Sequence, residues 1–172
     1  MGRWHDLIAM LAERRIGFKI DEQMKGTHRY LRDFAPGKVA AGQELPLSFE
    51  ATWGNPRLER FLNPWSEDFC FNVMEGRVSA GGLGLDLPMK GSLELRYHRD
   101  ASIRYHFEFE ARGRRMRYEG AKTEIRPWNL HRTHTICRGT IEELDGGGVL
   151  SDSVVRFDLR ALPDLLLSLR PG

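Results

Sequence analysis

The sequence predicts an all-β fold, an antiparallel barrel of about eight strands of the lipocalin or calycin kind, with a β-sandwich as the alternative. Three observations predict it. Eight stretches alternate apolar and polar residues with a period of two, separated by glycine-rich or charged turns. Helical periodicity is confined to the two ends, so there is no β-α-β alternation that would call for a parallel sheet. A sheet of this size must also hide two edges, and closing on itself removes them. The 172 residues suit one domain, 1–172, with enough chain to bury a core.

In order along the chain, Trp4, Leu7, Ile8 and Leu11 recur at helical spacing, with Arg14 and Arg15 suiting a helix C-terminus and Gly17 placed to stop it, so residues 1–16 read as a short amphipathic helix. From Phe18 the period changes to two: Phe18, Ile20, Glu22 and Met24 share one face, and Gly26 is read as a bulge or break. Asp33 to Glu44 carries the Pro-Gly and Ala-Gly signals of a surface loop, and alternation resumes through Leu47, Phe49 and Ala51. Asn55 to Pro64 places Leu58, Phe61 and Leu62 at i, i+3, i+4 and reads as a short helix, with Asn55 as cap and Pro56 in its first position. Six further strands follow in FCFNVMEGRVSA, LPMKGSLELRYHR, SIRYHFEFEAR, RMRYEGAKTEI, LHRTHTICRGTIEEL and GVLSDSVVRFDL. Ile103, Tyr105, Phe107 and Phe109 share a face while Arg104, His106 and Glu108 look away, the pattern of an antiparallel sheet with one wet face. Leu162, Leu165, Leu166 and Leu169 give a C-terminal helix over 161–170.

With 26 Lys and Arg against 24 Asp and Glu, the basic residues are scattered among acids, which argues against a nucleic-acid binder. The one basic cluster, ARGRRMR at 111–117, reads as a solvated hairpin turn. No stretch is long and apolar enough for a spanning helix. Two cysteines, Cys70 and Cys137, make no disulfide framework, and with no signal-peptide pattern the expected location is cytoplasmic.

The chemistry-bearing residues do not converge by spacing. In WNLHRTHTICRG, His131 and His134 would diverge on a strand, so neither a metal nor a cofactor is expected. His131, Thr133, Thr135 and Cys137 share one face, but His131 and Cys137 lie too far apart along a strand to hydrogen-bond, and Cys137 reads as a small buried hydrophobe. The glycines of SAGGLGLDLPMKG at 79–91 form no phosphate-binding pattern and mark a hairpin connection. Arg104, His106, Glu108 and Glu110 read as a solvated wall with cross-strand ion pairs.

Taken together, FKIDEQMKGTH, LPLSFEATWGNPRLERFL, MEGRVSA, MKGSLELRY, IRYHFEFEARGRRMRYEGAKTEI, RPWNLHRTHTIC and GVLSDSVVRFDLRALPDLLLSL run in an order that resembles an accessory β-rich segment of large glucose-methanol-choline flavoproteins, the cholesterol-oxidase-like group. YEGAKTEI at 118–125 is the best-matched piece; after Trp128 this chain has Asn129, Leu130 and His131 where that group has an aspartate and threonines. The flavin-binding fingerprint has no counterpart here. The resemblance implies a stand-alone module associated with lipid or sterol metabolism and assigns no catalytic role to any residue.

The function expected is therefore that of a non-catalytic binding or accessory module, holding an apolar lipid- or sterol-like molecule in a lumen lined by Phe49, Phe71, Leu95, Phe107, Tyr118 and Cys137. The alternatives are a small metal-free isomerase or cyclase using residues among His28, His106, Glu108, His134 and Cys137, and a structural or oligomerisation domain. A partner would be a second copy, through the leucine-rich end helix, or a flavoprotein.

Overall fold

Alternation carries the architecture. In the computed structural model of the protein, which describes residues 17–125, 135–158 and 170–171, the strands are β1 (Phe18–Tyr30), β2 (Glu44–Asn55), β3 (Phe71–Ala80), β4 (Gly84–Arg96), β5 (Ser102–Ala111), β6 (Arg114–Lys122), β7 (Ile136–Glu143) and β8 (Gly148–Phe157). Each is antiparallel to the next, and β1 pairs with both β2 and β8, so eight strands close into a barrel. The first residues of β1 run past the end of β8, and a two-residue strand, β9 (Arg170–Pro171), takes that edge opposite Phe18 and Lys19. Among the described residues no helix is long and apolar enough to cross a membrane.

The inward phase is the predicted one. Met24, Phe49, Met74, Leu93, Phe107, Tyr118, Ile141 and Val155 are all buried. Phe49, Phe107 and Tyr118 form a three-ring cluster across the middle of the barrel, with centroids 5.2, 5.7 and 4.7 Å apart. Each such ring removes its apolar surface from water, contributing about 1.5–3 kcal/mol before the entropy of ordering is set against it. An eight-stranded barrel is just wide enough for side chains to fill it, and here they fill its centre.

Two glycines leave room in the wall for that cluster. Gly120 and Gly139 are directly opposite each other on β6 and β7, and Tyr118 lies over both: a methyl group on Gly120 would stand 2.6 Å from the tyrosine oxygen, and one on Gly139 2.8 Å from it. Gly26 does not break β1; it allows the backbone of β8 to approach so closely that a Cβ would meet Val154 O at 2.0 Å. The predicted turn in ARGRRMR is a two-residue hairpin in which Arg112 and Gly113 both have positive φ (54° and 71°), joining Ala111 to its partner Arg114.

Several expectations are corrected. The segment between β1 and β2 is no mere surface loop: around a 3-10 turn at Ala35–Gly37, Phe34 and Val39 bridge to each other and bury their side chains, so it plugs one end of the barrel. Arg32 ties it down through Glu143, at 2.7 Å, which Arg114 also holds. The helix expected over Asn55 to Pro64 is α1, five residues from Leu58 to Leu62, preceded by Arg57 rather than capped by Asn55. Asn55 ends β2 instead; its side chain accepts a hydrogen bond from Arg57 N at 2.7 Å and donates to Phe71 O at 2.9 Å, a local turn that outcompetes the helical cap. The helix expected over 1–16 lies outside the described residues, as does 161–169 of the C-terminal one, while Arg170, its predicted last residue, is a strand residue.

Candidate functional site

The two ends of the barrel differ. The plugged end is closed by Phe34, Val39 and the Arg32–Glu143–Arg114 group, and just inside it His28 is fixed between Ser151 Oγ (3.0 Å from Nδ1) and Gly81 O (3.1 Å from Nε2). Both contacts are met by one neutral tautomer: Nε2–H donates to the carbonyl and Nδ1 accepts from the serine. Tyr30 donates to the same carbonyl at 2.8 Å. Burial holds the His28 pKa below its ordinary value, so this histidine is a neutral structural group.

At the opposite end, where β1 begins and β6 finishes, the inward phase carries charge. Glu22 on β1 and Lys122 on β6 come from strands with β7 and β8 between them, yet their side chains meet across the lumen at 2.8 Å. Their side chains are only 6% and 4% exposed. Tyr105 on β5 donates to both Glu22 oxygens, each at 3.0 Å, and Trp53 Nε1 donates to Oε2 at 3.2 Å. The ammonium also stands 5.1 Å from the centre of the Tyr105 ring, within cation–π range. The carboxylate thus accepts from three side chains. Burial first, and then the negative charge of Glu22, push the Tyr105 hydroxyl far above its ordinary range, so it acts as a permanent donor. Tyr97, at the end of β4, is pushed up to about 12 by burial and, second, by Glu22.

A thiol stands beyond this group. Cys137 is fully buried, with Sγ 3.5 Å from the Tyr118 hydroxyl. Burial lifts its pKa to about 11, against the lowering effects of Tyr118 and Lys122. It is a packing residue in a dry environment, with little thiolate at neutral pH.

Phe49, Phe107, Tyr118 and Cys137 do face the barrel interior, but as its packed core. Leu95 is inward and only partly buried, near the charged end. Phe71 is out of phase: Asn72 and Met74 point inward, so Phe71 lies on the other side of β3 and, with Leu95, lines a side pocket of about 180 Å³ beside Cys70 and His98. His106 and Glu108 stand on the outer wall, His106 3.4 Å from Glu119 and Glu108 3.6 Å from Arg117. His28, His106, Glu108 and Cys137 therefore do not share a cavity, and His134 lies outside the described residues. Among the described residues no group of three or more His, Cys, Asp or Glu side chains is placed to hold a metal. Local spacing does not reveal the Glu22–Lys122 pair, because its halves are 100 residues apart. Its signal is nonetheless present: Glu22 shares a face with Ile20 and Met24, and Lys122 follows Met116, Tyr118 and Gly120 in phase. A charge on an apolar face is the mark to look for. No family model, curated protein or solved structure matches this chain.

Proposed function

We propose that the protein is a non-catalytic binding module that takes a small, mainly apolar molecule into the end of the barrel beside Glu22 and Lys122. One observation carries this reading: two opposite charges are buried against each other at one end of a mainly apolar interior. A buried ion pair is a poor way to gain stability, because desolvating both ions offsets most of their attraction, and hydrophobic replacements often serve as well or better. Polar groups set in an apolar, concave surface are what small-molecule sites use to orient a ligand. Phe18, Ile20, Trp53, Leu95 and Phe157, all incompletely buried, supply apolar surface at the same end. The resemblance to an accessory segment of sterol-oxidising flavoproteins supports a lipid- or sterol-like ligand.

Titration with an environment-sensitive apolar dye tests the reading. Saturable enhancement is expected, accompanied by a change in Trp53 emission because the indole touches the site, and lost in the variant Leu95→Asp. A dye that never saturates, or that binds Leu95→Asp as well as wild type, would remove the basis for a site at this end.

A further inference from the structure

The outward residues of β4, β5, β6 and β7 form rows across the barrel wall, fixed by the strand register. One row is Lys90, Glu108, Arg117 and Glu142. The sign of the charge alternates at every step, with Glu108 3.6 Å from Arg117 and Arg117 3.7 Å from Glu142. Opposite charges directly across strands stabilise a sheet, and like charges do the reverse. The next row is Ser92, His106, Glu119 and Thr140, in which His106 and Glu119 stand 3.4 Å apart. The row after it reads Glu94, Arg104, Ala121 and Arg138: an alanine lies between two arginines, at the place where the alternation calls for an acid. We infer that this place is an anion site, separate from the barrel end, in which the phosphate or carboxylate group of a small ligand lies over Ala121 between the guanidinium groups of Arg104 and Arg138.

The site is open to solvent. Arg104, Ala121 and Arg138 line one groove of about 740 Å³ on the outer wall, together with Ser92, His106 and Thr140. The Arg104 side chain is 52% exposed and Arg138 is exposed, so a ligand reaches both without displacing any part of the core. The neighbouring acids have partners: Glu119 pairs with His106 and Arg117, and Glu94 with Arg96 at 3.9 Å. Asp100, in the turn after β4, holds Arg104 at 2.9 Å from the side away from β6. Among the described residues Arg138 is in no ion pair. Guanidinium presents a flat fork of donors that matches the oxygens of a phosphate or carboxylate, and the Thr140 hydroxyl, on the next outward residue of β7, is a further donor beside it. A cationic ligand would add charge of the sign already present on both arginines, and a neutral one would leave their mutual repulsion as it is.

The test is titration of the isotope-labelled full chain with inorganic phosphate and, separately, with acetate, each against sodium chloride of the same ionic strength, following the backbone amide signals along the groove by nuclear magnetic resonance. Saturable shifts specific to at least one of the two oxyanions are expected, and the tighter of the two names the group. Arg138→Gln is expected to weaken binding about fivefold, the scale of one exposed ion pair. Arg115→Gln, which removes an exposed arginine outside the groove, should leave it unchanged. Ala121→Glu supplies the acid that the row calls for; it is expected to abolish the shifts while both arginines remain, and to melt about 2 °C above Ala121→Gln, because the new carboxylate gains two cross-strand partners. Each of these positions is on the outer wall, so the variants leave the core intact, and circular dichroism checks their fold. Absence of oxyanion-specific saturation in the wild type overturns the inference, as does binding left unchanged by either Arg138→Gln or Ala121→Glu. An Ala121→Glu protein no more stable than Ala121→Gln overturns it too, since the two arginines would then not act on the space over residue 121. The dye titration of the barrel end is unaffected by any of these outcomes.

Discussion

At the scale of single residues, burial decides what each reactive group can do. Cys137 is surrounded by the barrel core, so Cys137→Ala is expected to cost about 1 kcal/mol through lost apolar contact. Cys137→Ser should cost more, because a hydroxyl must be buried where the thiol was tolerated. Urea midpoints of the two variants give the order, and slow alkylation by iodoacetamide in the native state checks the raised pKa. Lys122 makes a sharper case. Lys122→Met alone leaves Glu22 charged and unpaired in the lumen and is expected to destabilise by about 3–5 kcal/mol. Removing both charges, Glu22→Leu with Lys122→Met, should restore most of that loss, since an apolar pair needs no desolvation. A double variant no more stable than the single one would mean that the two ions are not coupled as their 2.8 Å separation implies.

Among the elements, the legible parts of the fold are those written by local period. The alternation of Ile103, Tyr105, Phe107 and Phe109 assigns β5 and its inward face, and the same rule assigns β1, β2 and β6. What period cannot supply is contact between distant elements. Phe34 and Val39 sit in a stretch whose Pro-Gly and Ala-Gly pairs signal a loop, and nothing local says that this loop folds back into the barrel mouth. Asn55 is a good helix cap by residue type, yet the partner that captures its amide, the carbonyl of Phe71, lies beyond α1. Of the candidate site, alternation assigns Phe49, Leu95, Phe107, Tyr118 and Cys137 to the inward face, whereas it does not fix the face of Phe71, because the left-handed Cys70 just before it (φ 56°) obscures where the strand phase begins. The glycine pair in the wall offers an element-level test. Gly139→Ala would set a methyl group 2.5 Å from Glu119 O and 2.8 Å from the Tyr118 oxygen. A loss of about 1–3 kcal/mol is expected, with a change in near-ultraviolet circular dichroism as Tyr118 leaves the ring cluster; an unchanged thermal midpoint would show that Tyr118 does not need the space this glycine leaves.

For the whole molecule, acid is the expected weakness, and two groups at the plugged end act in the same direction. Hydrogen bonds from Arg32 and Arg114 hold the Glu143 pKa below the ordinary carboxylate value, so its contribution is full above that value and is lost as pH falls through the depressed folded one. His28 is held neutral, its pKa lowered by burial. The unfolded chain therefore takes up this proton first, and stability begins to fall as pH drops below about 6.5. Urea midpoints should decline from pH 7 toward 5.5 in the wild type, less so in His28→Gln, while Glu143→Gln should flatten the later decline. If His28→Gln follows the wild-type curve throughout, His28 carries none of the early loss. The closure of β1 onto β8 bears finally on how the chain reaches this state. His28 and its partner Ser151 are 123 positions apart along the chain, so one side of β1 stays unpaired until the last barrel strand arrives. Loop-closure entropy on that scale is spent before any contact rewards it, which places folding among slow, non-local topologies of milliseconds to seconds. Until then β1 presents a bare hydrogen-bonding edge, and its outward residues Lys19, Asp21, Lys25 and Arg29 supply the charge that discourages pairing with a neighbouring nascent chain.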